Sequence, residues 1–247
     1  MSAERRLVFA AHLPWDRYAF PAFVIMVWAA ILMGFVPEII GQLRTHEFDY
    51  PPATHVHAAL AFGWLALLTV QTGLVRVGNL ALHRRLGIIG TCLVPLMVVV
   101  GFVVVISMFR RLYAPDFLPM TLSLRFADLT LFGGLAGAAL YLRRDPPAHK
   151  RLMLLAAFTL ASAGFGRWWG DAIVAVTGPG YFGVWAFDYL GVALLILALG
   201  AFDLATRRRL HPAFVIGAIA IWSLGLLSIY VRYAPWWRPI SMNLIGH

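Results

Sequence analysis

Cysteine occurs once in the 247 residues, at Cys92. An intrachain disulfide is therefore impossible, and a zinc site built from several thiolates is excluded. Lysine also occurs once, at Lys150, so nineteen of the twenty basic residues are arginine. Charge of either sign is scarce: 13% of residues are charged against 61% hydrophobic. No polar stretch is long enough to make a soluble domain, so the composition excludes a soluble protein and indicates a multi-pass membrane protein. Basic patches with interleaved aromatics are missing outside the apolar runs. The net charge of +9 thus belongs to helix ends at a membrane surface and does not mark a nucleic-acid binder. Nucleophile elbows, phosphate loops and H-E-x-x-H helices are missing too. The first twenty residues, "MSAERRLVFAAHLPWDRYAF", lack a short apolar core followed by a small-residue cleavage site. They are expected to be a retained cytoplasmic lead over 1–17, its first sixteen residues on the membrane surface.

What is present is a series of apolar runs. A bilayer core takes about twenty apolar residues as a helix. Seven such segments occur: 18–37, 55–76, 84–109, 122–142, 152–174, 184–204 and 212–233. Loop chemistry separates them: "PPATH" at 51–55, "RRDPPAHK" at 143–150, "TGPGYFG" at 177–183 and "RRRLHP" at 207–212. Pro95 would kink the third span. The expectation is an all-α seven-transmembrane-helix bundle over 18–233 with a short extracytoplasmic tail over 234–247. Placing the N-terminus inside puts thirteen basic residues inside and six outside, with Arg167 in a span. That bias predicts N-in and C-out, in a bacterial inner membrane. Trp168, Trp169, Tyr181, Trp185, Tyr230, Trp236 and Trp237 would belt the outer boundary. Arg84, Arg85, Lys150, Arg151 and His211 read as cytoplasmic anchors.

His83, His149 and His211 each stand beside basic residues at the inner start of a returning helix. His57, Asp128 and Asp188 stand at the outer start of each hairpin. Either three similar hairpins follow helix 1, or basic turns simply recur as in any membrane hairpin.

The segment "AGFGRWWGDAIVAV" at 163–176 carries Arg167 and Asp171 inside an apolar run. At about 1.5 Å per residue, Arg167 lies roughly 24 Å beyond Arg151. Asp128 lies roughly 22 Å up the antiparallel neighbour from Arg143. Spacings of three and four keep Arg125 with Asp128, and Arg167 with Asp171, on one face each. The expected pairs are Asp128–Arg167 and Arg125–Asp171, with His57 and Asp188 at the same outer level. These six would line an outward pocket for a ligand, or would only fix helix register. The loop carrying His46, Glu47, Asp49 and His55 would cap it. Gly133, Gly134 and Gly137, with Gly164 and Gly166, suit close helix packing. Asp203 is expected to pair with Arg207, four residues on.

Histidine is the available metal ligand. His55 and His57 would share a side only in an extended segment; on a helix they point apart. Haem between helices needs two facing histidines or one with an open position. His83 and His149 start two helices at one end, and adjoining arginines and Lys150 also suit a plain interfacial anchor.

The runs "HVHAALAFGWLALLTVQTGLVRVGNLALHRRLGIIG" and "AHKRLMLLAAFTLASAGFGR" resemble a group of uncharacterised bacterial multi-pass membrane proteins. Members carry an H-x-H at the second helix, H-R-x-L-G before the third and H-K-R-L-M at the fifth. The matching positions are His55, His57, His83, Arg84, Gly87, His149, Met153 and Arg167, with Asp188, Asp203, Arg207, His211 and Pro212 further on. The resemblance implies no activity. Three functions remain open: a redox protein holding haem or a metal ion, a transporter or receptor for a small anionic or lipid-like molecule, and a non-catalytic assembly subunit. The bilayer is a partner in each, and an oligomer is allowed.

Overall fold

The computed structural model describes residues 9–45, 50–112 and 119–247. Among them are eight α-helices and no strand: α1 Asp16–Thr45, α2 Pro52–Arg76, α3 Leu80–Arg111, α4 Leu122–Tyr141, α5 Pro146–Thr177, α6 Tyr181–Arg207, α7 Pro212–Tyr233 and α8 Trp237–Ile245. A 3₁₀ turn at Pro119–Thr121 leads into α4. Six of the seven apolar segments lie within a helix, and 122–142 overruns α4 by its C-cap residue Leu142. Starts are set by local chemistry. Asn79 accepts from the Leu82 amide at 3.1 Å and Asp145 from the Ala148 amide at 3.2 Å, so both cap orphan donors. Proline follows at the first turn of α2, α5 and α7, where its missing N–H costs nothing. Pro95 sits inside α3, which runs on past it to Arg111.

Five helices, α1, α2, α3, α6 and α7, are long and apolar enough to cross a membrane. The chain is a multi-pass membrane protein of helical-bundle type on that ground. The two other long helices, α4 and α5, carry Arg125, Asp128, Arg151, Arg167 and Asp171, and they lie inside. α5 buries residues from Pro147 to Gly170 and packs on α1, α4, α6 and α7. A helix shielded by neighbours can hold paired charges that a lipid-facing helix cannot. By contrast α2 buries only Trp64 and Leu65.

Consecutive helices run in opposite directions. One end of the bundle, here the basic end, carries the α2–α3 and α4–α5 turns, the α6–α7 turn and the start of α1. Residues 9–15 fold against this end: the Phe9 ring sits under the guanidinium groups of Arg151 at 4.5 Å and Arg207 at 5.2 Å. Lys150 donates to the Ala11 carbonyl at 2.7 Å. This part of the lead plugs the basic end of the bundle; residues 1–8 fall outside the described range. At the far end α8 turns back, with Arg110 Nε donating to the Ile245 carbonyl at 2.8 Å and Trp237 Nε1 to the Met120 carbonyl at 3.1 Å.

Glycine packing is partly as expected. Gly34 of α1 and Gly164 of α5 bring two backbones into contact, and a Cβ on Gly164 would sit 2.9 Å from the Ile31 Cα. A Cβ on Gly133 would meet Val98, and one on Gly166 would meet Phe187. Gly134 and Gly137 face open space, so they are not contact positions.

Candidate functional site

At the far end the expected charge pairs are replaced by others. Arg125 binds Asp128 at 3.1 Å, one turn along its own helix, and also Asp188 at the start of α6. The Tyr189 hydroxyl donates to Asp128 at 3.3 Å and lies 3.4 Å from Ser228 Oγ. The Ser123 hydroxyl donates to the Ser228 carbonyl at 2.8 Å. Two carboxylates therefore close on one guanidinium, and the crevice beside Tyr189 has about 10 Å³, the room of roughly one water. These residues converge, as the sequence suggested for Arg125, Asp128 and Asp188, but they form a closed network.

Arg167 does not join that network. It turns to α1, where Nε donates to Glu38 at 2.6 Å and the guanidinium lies 4.3 Å from the Phe35 ring centre. Glu38 also accepts from the Tyr50 hydroxyl at 3.1 Å. The cause is the Gly34–Gly164 crossing. Glu38 and Arg167 each stand one turn beyond those glycines, so close backbones bring them together. Asp171 is exposed and makes no ion pair among the described residues. Asp128–Arg167 and Arg125–Asp171 are thus both corrected.

His55 and His57 lie within α2, so they point apart. His55 is exposed beside the Tyr50 ring, 6.5 Å away. The His57 ring lies against Gly101 of α3, and its Nδ1 is buried without a partner among the described residues. His46, Glu47 and Asp49 lie outside the described residues. No group of three or more His, Cys, Asp or Glu side chains that could hold a metal ion occurs among the described residues.

At the basic end a chain of buried charge links three helices. Arg151 and Asp203 are both fully buried, and Arg151 reaches Asp203 through Nε at 2.6 Å and Nη2 at 2.5 Å. Arg207 approaches the same carboxylate at 3.5 Å and grips Asp16 at 2.7 Å. Lys150 completes the chain on Asp16 at 2.7 Å. The Asp203–Arg207 pair is present as expected, but the shorter partner of Asp203 is Arg151. Arg151 is therefore a core residue, not a surface anchor, because the plug covers it. The anchors Arg84 and Arg85 are exposed as anchors should be. His211 caps α7, its Nδ1 accepting from the Ala213 amide at 3.2 Å. Burial holds His211 below the usual histidine range, helped by Arg151, while Asp145 and Asp203 oppose the shift.

Next to this chain opens a pocket of about 320 Å³ between α1, α2, α3 and α5. Leu68, Val75, Phe20, Met153 and Leu154 give it apolar walls, and Arg17, Arg76 and Lys150 give it basic ones. His83 and His149 meet in it, ring centres 6.4 Å apart and planes at 88°. His149 Nδ1 lies 2.8 Å from the Ala139 carbonyl, which can only accept, so Nδ1 carries the proton. Burial pushes the His149 pKa down, with the Ala139 bond opposing. Burial likewise lowers Lys150, against the pull of Asp16. Gln71 donates to the His83 carbonyl at 3.1 Å, yet its Oε1 is buried without a partner among the described residues, as is His83 Nδ1. The pocket combines residues from four helices. Only the histidines and their basic neighbours were visible in the sequence, and Gln71, Arg17 and Arg76 carried no spacing signal.

Comparison with protein-family models, curated proteins and solved structures finds no match to this chain.

Proposed function

We propose that the protein binds an anionic amphiphile, drawn from the bilayer, in the pocket at the basic end. The observation that carries this reading is the pocket itself. Its volume of about 320 Å³ lies in the range of small-molecule sites, about 300–1,000 Å³. One side is apolar, the other basic, and two polar atoms in its wall lack partners. Asp16 and Lys150 line the pocket and Arg151, Asp203 and Arg207 stand behind them; the three cations outnumber the two carboxylates, so this charge chain keeps one excess positive charge. This is the transporter or receptor reading of the sequence, moved from the outer to the basic end.

The test is saturable binding of a fluorescent fatty acid to detergent-purified protein, displaced by oleate. Arg17 and Arg76 are exposed and make no ion pair among the described residues. At about 1 kcal/mol per basic residue, the double variant Arg17→Gln/Arg76→Gln should bind roughly 5- to 30-fold more weakly. Affinity equal to wild type, or partition no different from empty detergent, would sink the reading.

The same proposal includes seven spans with the N-terminus in the cytoplasm of a bacterial inner membrane. α4 has 20 residues and α5 has 32, enough at about 1.5 Å per residue to cross a core of about 30 Å. Basic residues crowd the end where α1 begins, which suits the positive-inside rule. In a Cys92→Ala background, Gly180→Cys on intact spheroplasts should react with a membrane-impermeant maleimide, and Arg144→Cys should not. The reverse pattern would turn the bundle over. Kinship with the uncharacterised bacterial group rests on the H-x-H, H-R-x-L-G and H-K-R-L-M boxes alone. Of the three similar hairpins expected after α1, the packing of α2 on α3 and of α4 on α5 supports two; α6 packs chiefly on α5 and α7 on α4. For Arg125, Asp128 and Asp188, the closed network favours the structural role of an assembly scaffold.

A further inference from the structure

We infer that the amphiphile is an iron porphyrin whose iron is ligated by His83 and His149, one nitrogen from each. The inference rests on the pocket reading above and names the class of its ligand. The first support is distance. Metal–imidazole bonds are about 2.0–2.1 Å, so two imidazoles on one ion place their ligating nitrogens about 4 Å apart and their ring centres roughly 6 Å apart. The observed separation is 6.4 Å.

The second support is tautomer. The Ala139 carbonyl holds the proton on His149 Nδ1, which leaves Nε2 with a free lone pair. Ligating histidines are oriented in this way by a second hydrogen bond.

The third support is the ligand count. His12 and Asp16 also line the pocket, but Asp16 is held by Lys150 and Arg207 and no group of three possible ligands occurs among the described residues, so a bare ion would have two protein ligands, too few for the usual sites. Iron in a porphyrin already has four nitrogens and asks only for axial ligands. The macrocycle is flat and apolar and bears two carboxylates. Leu68, Val75 and Met153 suit its face, and Arg17 and Arg76 suit its acids. His57 also has an unpartnered ring nitrogen, but it faces Gly101 with no second ligand at hand.

The experiment titrates detergent-purified protein with hemin and, separately, with metal-free protoporphyrin IX. Hemin is expected to saturate at one per chain with a six-coordinate low-spin spectrum. His83→Ala and His149→Ala should each convert that spectrum to high-spin and weaken hemin binding at least about tenfold. Both should melt within about 4 °C of wild type in detergent, which reports that they are folded. His149→Met keeps a side chain able to ligate iron and should stay low-spin with shifted bands. A spectrum that is identical in wild type and both alanine variants overturns the inference. So does equal affinity of the wild type for the two porphyrins. Failure of both porphyrins to bind, with arginine-dependent fatty-acid binding intact, overturns the iron ligation and leaves the pocket reading standing. Loss of fatty-acid binding as well would overturn the pocket reading.

Discussion

Arg151→Met is expected to lower the stability of the purified protein by about 3–5 kcal/mol, because it strands a carboxylate in the core. Asp203 is 0% exposed and takes two hydrogen bonds from Arg151. Its remaining partner, Arg207, stands at 3.5 Å and is already engaged with Asp16. Asp203→Asn should cost a similar amount by leaving the buried guanidinium of Arg151 without its counter-charge, with one amide oxygen and the Pro147 carbonyl as acceptors. The double variant Arg151→Met/Asp203→Leu should recover most of the loss, since apolar side chains of similar volume often replace a buried pair without penalty. For a chain of this size the single variants correspond to a fall of roughly 6–20 °C in Tm. Thermal unfolding in detergent measures it. Single variants that melt with the wild type would show that the pair is not sealed from water.

Gly164→Val should disrupt the fold more broadly. Any Cβ at this position meets the Ala30 carbonyl and lies 2.9 Å from the Ile31 Cα, both backbone atoms of α1. A side chain there cannot be accommodated by a rotamer change; α1 and α5 must separate. The expected loss is at least about 3 kcal/mol, the upper end for overpacking. The Arg167–Glu38 pair should go with it, since the same crossing holds both. Gly137→Ala is the control: nothing lies within 4 Å of its Cβ, and it should not destabilise the protein, with a gain of up to about 1 kcal/mol from helix propensity. Size-exclusion profile and Tm together report the outcome.

The helices were legible in the sequence because span length and loop chemistry are local signals. Helix neighbours were not. The charges of α4 and α5 were matched by depth, and depth does not say which helix stands beside which. Glu38 lay beyond the apolar limit of the first span at residue 37, so it was not weighed as a partner; α1 in fact runs on to Thr45 and carries Glu38 to Arg167. Arg151 looked like an anchor because a basic residue at a helix start is normally wet. Its burial depends on Phe9 and the following residues folding back, which no periodicity reveals. His83 and His149 were recognisable as a possible pair. Their meeting depends on α3 and α5 beginning at the same end, and their pocket depends on Gln71 and Arg76 from the end of α2.

On the proposed function, ligand enters between α1, α2, α3 and α5, at the end opposite to the Arg125 network. Photo-crosslinking a diazirine fatty acid to the protein in nanodiscs, followed by peptide mapping, tests it directly. Oleate-displaceable adducts are predicted on 68–76 and 149–154. Adducts that instead gather around Asp188 and Tyr189, or spread evenly along the lipid-facing side of α3 at Ile88, Val99 and Val103, would contradict it.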